Sequence, residues 1–264
     1  LTMTSNGMAG IGHDGATLNV RDALSEGFLR IVTSGDLFDV SANGFAASAD
    51  EYISLVSAGQ IGTETDVFRV NVTAGSTLML LSTGDSFIEQ KGGDIFVSRA
   101  QVGGNLEMTT PANLSLGRLD IAGTATFNVD GDMTDALADD ADPSLDLVAN
   151  AVVLNVLGSL GTDTNRVEID INTSITGNVG GSVYLRDFDS FALGANDALV
   201  VNNTVDIVAR FAFTGADNGR LEADDIILLA LVGNIGSEIT PFDVKLTGGT
   251  IAARALNDIW MTSG

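Results

Sequence analysis

A five-residue motif of the form Gly-x-Ile/Leu-Gly-Ser/Thr occurs three times in this chain, at residues 59–63, 158–162 and 233–237. In each copy, the residues six, eight and ten positions after the second glycine are apolar, and the residues between them are polar or charged. Alternation with period two is typical of a strand with one buried face. The three copies therefore form a repeat. Because so short a unit cannot bury its own apolar face, it must stack on its neighbours.

A second block follows each copy and places an aromatic residue between two aliphatic ones. We align Phe96, Tyr184 and Trp260 on this pattern, which gives the first copy about ten extra residues around residues 78–88. If the aliphatic neighbours point inward, period two directs each aromatic ring outward. An outward ring packs under a loop or against a neighbouring chain, or stacks on a sugar. We expect these three residues to form an interaction surface.

The rest of the chain has the same character, with short alternating runs separated by Gly, Asn, Asp, Ser and Thr. We predict an all-β fold, a right-handed parallel β-helix, with roughly 11–13 coils of about 20–24 residues stacked along the strand-pairing direction. Residues 1–264 would form one continuous β-solenoid segment. Tandem β-sandwich domains are the alternative, although the chain has neither a Cys…Trp…Cys spacing nor a Pro-rich linker.

Residues 233–244, together with residues 258–261, resemble the filamentous-haemagglutinin-like family of secreted β-helical adhesins and exoproteins. The resemblance implies a right-handed parallel β-helix, export to the extracellular space or the cell surface, and a role as a stalk, adhesin or filament. The chain begins with Leu1 and stops inside a strand-like pattern. We therefore expect it to be a piece of a longer protein.

Charge and composition limit the classes of partner that the chain can bind. The formal net charge of −23 repels nucleic acids, and the longest apolar run, residues 226–232, is far shorter than the ~20 residues of a membrane-spanning helix. The chain has no Cys and only 12 scattered basic residues, so we expect no enzyme activity. The expected partner is a cell-surface or matrix ligand, such as a carbohydrate, or further copies of the chain.

An acidic run offers the one candidate metal site. Oxygen-rich loops suit Ca²⁺, and we predict a calcium site at Asp130, Asp132 and Asp135. The same run continues with Asp139, Asp140 and Asp142, and its spacing fits neither an EF-hand nor a calcium β-roll. The alternative is a solvated acidic loop. No other cofactor is expected.

These observations favour a structural or adhesive segment of a large exported cell-surface protein. Two alternatives remain. An open strand edge at the end of the stack would suit a self-assembling extracellular filament or surface-layer subunit. Acidic loops and outward aromatic rings would suit a carbohydrate-active β-helix enzyme.

Overall fold

The computed structural model describes residues 1–42, 44–73, 75–137, 145–216 and 218–263. It is a β-solenoid of about 11 turns, built from parallel stacked strands that hold 62% of the residues. The predicted fold class, an all-β parallel β-helix, is confirmed, and the tandem-sandwich alternative is wrong. No helix in the described residues is long and apolar enough to cross a membrane. The right-handed sense of the coil stays a prediction.

The chain divides into two compact units, residues 1–130 (unit 1) and 131–264 (unit 2). Each unit is described by itself, and the prediction of one continuous segment over residues 1–264 stays a prediction. The strands of unit 1 are β1 Thr2–Ser5, β2 Ala9–His13, β3 Thr17–Val20, β4 Asp22–Ser25, β5 Phe28–Thr33, β6 Asp36–Asp39, β7 Ala47–Ala49, β8 Tyr52–Ser57, β9 Phe68–Val72, β10 Thr77–Ser82, β11 Ser86–Gln90, β12 Ile95–Val102, β13 Leu106–Thr110 and β14 Leu114–Val129.

Unit 2 holds the remaining strands. These are β15 Met133–Asp135, β16 Leu147–Val156, β17 Val167–Val179, β18 Val183–Asp187, β19 Phe191–Leu193, β20 Ala198–Val201, β21 Thr204–Ala209, β22 Phe213–Gly215, β23 Arg220–Ala223, β24 Asp225–Ala230, β25 Phe242–Leu246, β26 Ile251–Ala255 and β27 Met261–Ser263.

The core of unit 1 is a ladder of aliphatic side chains. In the stack β5–β8–β10–β12–β14, one register position is fully buried in all five strands and is occupied by Leu29, Ile53, Leu78, Val97 and Leu116. The alternate residues of these strands are partly or fully exposed, apart from the buried Ser54 and Gly117, which is the period-two pattern of the sequence. Each coil thus buries its apolar face on its two neighbours, and this burial stabilises the stack.

The core of unit 2 adds an aromatic cluster to such a ladder. Phe191, Phe213 and Phe242 are fully buried, and their ring centroids lie 5.7 to 6.4 Å apart in tilted or edge-to-face pairs. Edge-to-face contact suits the ring quadrupoles. Successive coils therefore stack their rings as well as their aliphatic side chains.

The three motif copies have one structure. Each second glycine has a left-handed φ, 68° at Gly62, 67° at Gly161 and 69° at Gly236, and a Cβ there would strike the backbone of the next coil. After each corner a strand begins with a buried residue. These residues are Phe68, Val167 and Phe242. The repeat predicted from the sequence is therefore confirmed at the level of the coil.

The alignment of the second block is wrong in the first copy. In every copy, the backbone N–H of an aromatic residue donates to the carbonyl oxygen of the apolar motif residue. The pairs are Phe87–Ile61, Tyr184–Leu160 and Trp260–Ile235, at 2.8, 2.8 and 2.7 Å. Phe87, not Phe96, is thus equivalent to the other two rings, and the first copy has no ten-residue insertion. The pattern misled because a coil contains several strands, and more than one shows an aromatic between aliphatics.

Candidate functional site

Three buried carboxylates meet inside unit 2, and we call them the carboxylate cluster. Asp135 ends β15, Asp146 precedes β16, and Glu168 is the second residue of β17. Their candidate ligand oxygens all lie within 4.8 Å of one another, and the three residues are 6%, 1% and 0% exposed. Buried charges of one sign are costly unless something neutralises them. The cluster is therefore the strongest candidate site in the described part of unit 2.

Backbone hydrogen bonds fix these side chains. The N–H of Glu168 donates to Asp146 Oδ2 at 2.8 Å, and the N–H of Asp146 donates to the carbonyl oxygen of Glu168 at 3.0 Å. Asp135 Oδ1 accepts the N–H of Leu137 at 2.7 Å. These bonds orient the remaining oxygens of Asp135 and Asp146 before any ligand arrives.

The electrostatics of the cluster favour uptake of positive charge. Burial, together with the neighbouring Asp135 and Glu168 carboxylates, raises the pKa of Asp146 to about 9, against the opposing backbone N–H of Glu168. Arg186 contributes one cation, with Nη1 3.9 Å from Glu168 Oε1. Such a site can hold a proton or a hard metal cation.

An ion pair occupies the equivalent place in unit 1. Leu37 forms a parallel β-bridge with Ile61, the apolar residue of the first motif, and Met133 forms the same bridge with Leu160 in the second motif. Asp39 and Asp135 each lie two residues further along and therefore correspond to each other. Arg69, directly after Phe68, corresponds to Glu168. Arg69 Nε donates to Asp39 Oδ2 at 2.7 Å, and the Asp39 side chain is completely buried.

The third position of the comparison holds no charge in unit 1. The N–H of Ala46 donates to the carbonyl oxygen of Arg69 at 2.8 Å, and the N–H of Asp146 donates in the same way to the carbonyl oxygen of Glu168. Ala46 therefore corresponds to Asp146. The three equivalent positions therefore hold Asp, Arg and Ala in unit 1, with no net charge, and three carboxylates in unit 2.

The predicted calcium ligands are only partly brought together. Asp135 lies in the carboxylate cluster. Asp132 is exposed, and its Oδ1 accepts the N–H of Ser159 at 2.7 Å. Asp130 is exposed at the end of unit 1. Neither belongs to the one three-carboxylate group found among the described residues. The remaining acidic residues of that run, Asp139, Asp140 and Asp142, lie outside the described residues.

Sequence reasoning missed Asp146 and Glu168. Glu168 lies at a polar position of an alternating strand, which predicts a solvent-facing side chain, yet it is fully buried. The signal that could have found it is the repeat itself, because the same position is Arg69 in the first copy. A charge reversal at one position of a repeat indicates a different local counter-ion.

The predicted interaction residues are all half-buried, as outward rings should be. The aliphatic neighbours of Phe96 and Tyr184 are buried, whereas Ile259, beside Trp260, is 42% exposed. Phe96 belongs to unit 1. In unit 2, the Arg166 guanidinium lies 6.0 Å from the Tyr184 ring centroid. Whether these three rings bind a ligand stays a prediction.

The outer face of β5, β8, β10 and β12 carries a column of aromatic residues. Phe28, Tyr52, Thr77 and Phe96 share one register position on four successive coils. The Phe28 and Tyr52 rings are stacked, with centroids 4.6 Å apart and planes inclined by 6°. We call this surface, with the groove described next, the aromatic face of unit 1.

An open groove of about 720 Å³ lies at the other end of the same strands. One register position contributes a lining residue from each of five successive coils, namely Val32, Val56, Leu81, Gln101 and Asp120. This register position is apolar on three coils and polar on the next two. It runs along the stacking direction, across the strands rather than between them.

No protein-family profile, curated protein or solved structure matches this chain. The fold and its repeated corners define its class, the parallel β-solenoid repeat proteins. The more specific resemblance to filamentous-haemagglutinin-like adhesins stays a prediction.

Proposed function

We propose that this chain is a structural and adhesive segment of a large exported β-solenoid protein at the cell surface, and that it binds its ligand without catalysing a reaction. The observation that carries the proposal is the aromatic face of unit 1. It combines stacked, half-buried rings with an open groove on one rigid sheet. Half-buried aromatic rings on a rigid surface are effective contacts, since they lose little conformational entropy on binding.

The shape of the groove favours an extended ligand. Its floor comes from five successive coils, and four steps of ~4.8 Å make it roughly 20 Å long. Exposed polar groups of Thr83, Gln101 and Asp120 line it and can bond hydroxyls, while the rings at the other end of the same strands can stack on sugars. The net charge of −23 disfavours polyanions. A neutral or cationic glycan of the cell surface or matrix fits these features best.

The composition of the groove supports binding rather than catalysis. Asp120 is the only titratable residue among the groove-lining residues described. Glycoside hydrolysis by acid and base needs two carboxyl groups flanking the scissile bond. The three carboxylates of the carboxylate cluster are buried inside unit 2. Nucleic acid and membrane are not proposed as partners.

Binding of the purified chain to an array of neutral and basic glycans tests the proposal. We expect the double variant Tyr52→Ala/Phe96→Ala to lose at least tenfold in affinity for the best glycan. Phe188→Ala removes a half-buried ring from unit 2 and serves as the control, with unchanged affinity. Thermal melting of each variant verifies the fold. If no glycan binds, or if the double variant binds as the wild type does, the adhesive role of this face is contradicted.

A further inference from the structure

We propose that Asp135, Asp146 and Glu168 of unit 2 bind one divalent cation, Ca²⁺, and that this ion performs there the role that the Arg69 guanidinium performs beside Asp39 in unit 1. Two independent observations carry the proposal. One is the geometry of the carboxylate oxygens, and the other is the internal comparison between two copies of the same repeat.

The spacing of the oxygens suits a single ion. All the candidate ligand oxygens lie within 4.8 Å of one another. Ca²⁺ binds oxygen ligands at about 2.3–2.6 Å, so ligands on opposite sides of one ion lie roughly 5 Å apart. The cluster therefore has the dimensions of one calcium coordination shell.

Two oxygens of the cluster have no hydrogen-bond donor among the described groups. They are Asp135 Oδ2 and Asp146 Oδ1, which lie on residues only 6% and 1% exposed. The second oxygen of each carboxylate already accepts a backbone N–H, which leaves these two atoms for a further partner. A buried acceptor without a donor is costly and rare in proteins. A cation supplies the missing partner for both atoms.

The internal comparison indicates what kind of partner is missing. In unit 1, Asp39 faces the positive charge of Arg69 at 2.7 Å, and the third position is Ala46. In unit 2 the Arg position is Glu168 and the Ala position is Asp146. Both replacements add negative charge at a buried position. A divalent cation, with Arg186 3.9 Å from Glu168, would make the set electrically neutral.

Calcium is favoured over magnesium at this site. Mg²⁺ demands near-ideal octahedral geometry and keeps several bound waters, whereas Ca²⁺ accepts irregular sets of oxygens. The three carboxylates are fully or almost fully buried and are held by backbone hydrogen bonds, which leaves little space for a shell of waters.

Calorimetric titration of the chelator-treated full chain with CaCl₂ is the test, together with thermal melting in Ca²⁺ and in chelator. We expect one ion per chain and a melting temperature at least about 5 °C higher in Ca²⁺. Asp146→Asn and Glu168→Gln should abolish both effects. Asp163→Asn, which removes an exposed carboxylate of unit 2, should leave both unchanged.

A transplanted ion pair keeps the test decisive if single variants fold poorly. The double variant Asp146→Ala/Glu168→Arg reproduces the set of unit 1. It should fold in chelator, melt at or above the temperature of the calcium-loaded wild type, and bind no Ca²⁺. The proposal is overturned if the wild type gives no heat of binding and melts identically in Ca²⁺ and chelator. The same conclusion follows if the transplanted variant still responds to Ca²⁺.

Discussion

At the scale of the residue, three aspartates show how one local structure serves different electrostatic surroundings. Asp39, Asp135 and Asp187 each end a strand, and each accepts through Oδ1 the N–H two residues further on, at 2.6, 2.7 and 2.9 Å. Their other oxygens differ in surroundings. Asp39 faces Arg69, Asp135 faces two carboxylates, and Asp187 Oδ2 has no donor among the described groups. All three aspartates thus form the same turn, whereas the group that faces the second carboxylate oxygen differs from coil to coil.

Asp187 should make the stability of the protein depend on pH. Burial, with the charges of Asp170 and Asp189, raises the pKa of Asp187 to about 7, although the Asp189 backbone N–H opposes the rise. The folded state therefore binds this proton more tightly than the unfolded state, whose pKa is about 3.9. Its contribution to stability is full below pH ~4, falls as the pH rises to ~7, and is constant above that.

Asp187→Asn removes this dependence. We expect the variant to be more stable than the wild type by up to ~4 kcal/mol at pH 8 and nearly equal to it at pH 4, because the folded wild-type side chain is then also neutral. Urea unfolding at the two pH values measures the difference. Asp163→Asn removes an exposed carboxylate of unit 2 and serves as the control. A stability difference for Asp187→Asn that is the same at both pH values would show that Asp187 is not the titrating group.

The Asp39–Arg69 pair should be important for the stability of unit 1. Because the Asp39 side chain is fully buried, Arg69→Met leaves an uncompensated charge and should cost about 3 kcal/mol. The double variant Asp39→Asn/Arg69→Met should recover part of that loss. Chemical denaturation of the full cycle provides the measurement, with the exposed Arg99→Met as control. Additive effects of the two single changes would contradict a coupled pair.

At the scale of the element, the corners determine where each coil turns. The carbonyl oxygen of Trp260 or its equivalent lies where a Cβ on the second glycine of the motif would be, and the left-handed φ excludes most other residues. The Ser or Thr that follows accepts the N–H three residues on through its hydroxyl oxygen, at 2.9 Å for Thr63, 2.9 Å for Thr162 and 3.0 Å for Ser237. The second glycine and the Ser or Thr of the motif therefore each have a structural role in the turn.

Gly161→Ala tests this corner. At φ 67°, and with the Tyr184 carbonyl oxygen in the way, alanine should cost at least about 2 kcal/mol. Gly93→Ala is the matched control, because no atom lies within 4 Å of its added Cβ and its φ is not left-handed. It should change stability by less than about 0.5 kcal/mol. Thermal or urea unfolding distinguishes the two, and equal effects would contradict the assigned role of the corner.

The sequence analysis did not detect a ladder of side-chain hydrogen bonds between successive coils. In unit 1, Asp36, Asp85 and Asn105 each accept, through a side-chain oxygen, the N–H of the equivalent residue on the next coil, at 3.0, 2.7 and 2.9 Å. A glycine precedes each of these positions, and at most of them a Cβ would strike the oxygen from the coil before. The glycines of this column are 35, 59, 84, 104 and 123, at intervals of 19 to 25 residues. The varying interval hid the repeat.

The sequence predicts some features of this protein much better than others. Period-two alternation identified the inward residues of β9, β17 and β25, because burial of a stacked coil is set locally along each strand. The alternation could not identify which side chain lies beside an outward-facing residue, because that neighbour belongs to another coil. Glu168 was therefore missed. Phe96 was aligned with Tyr184 and Trp260, although Phe87 is the equivalent residue of the first copy.

At the scale of the whole molecule, every proposed function depends on coils that stack in parallel and in register. The column of Phe28, Tyr52 and Phe96, the groove and the carboxylate cluster each take their residues from different coils. A shift of two residues between neighbouring coils would separate all three sets. The register is thus the central claim, and because the chain has no cysteine, engineered disulfides can test it without interference.

The most direct test is disulfide formation between paired cysteines on neighbouring coils. In-register pairs are Val56→Cys/Leu81→Cys in unit 1 and Val208→Cys/Leu229→Cys in unit 2. Their strands lie ~4.8 Å apart, which suits a disulfide, whereas the displaced pairs Val56→Cys/Met79→Cys and Val208→Cys/Ile227→Cys would span roughly 8 Å. We expect both in-register pairs to oxidise readily in the folded protein and both displaced pairs to stay reduced. Failure of the in-register pairs, or equal oxidation of the displaced ones, would contradict the stacked-coil fold and the functions built on it.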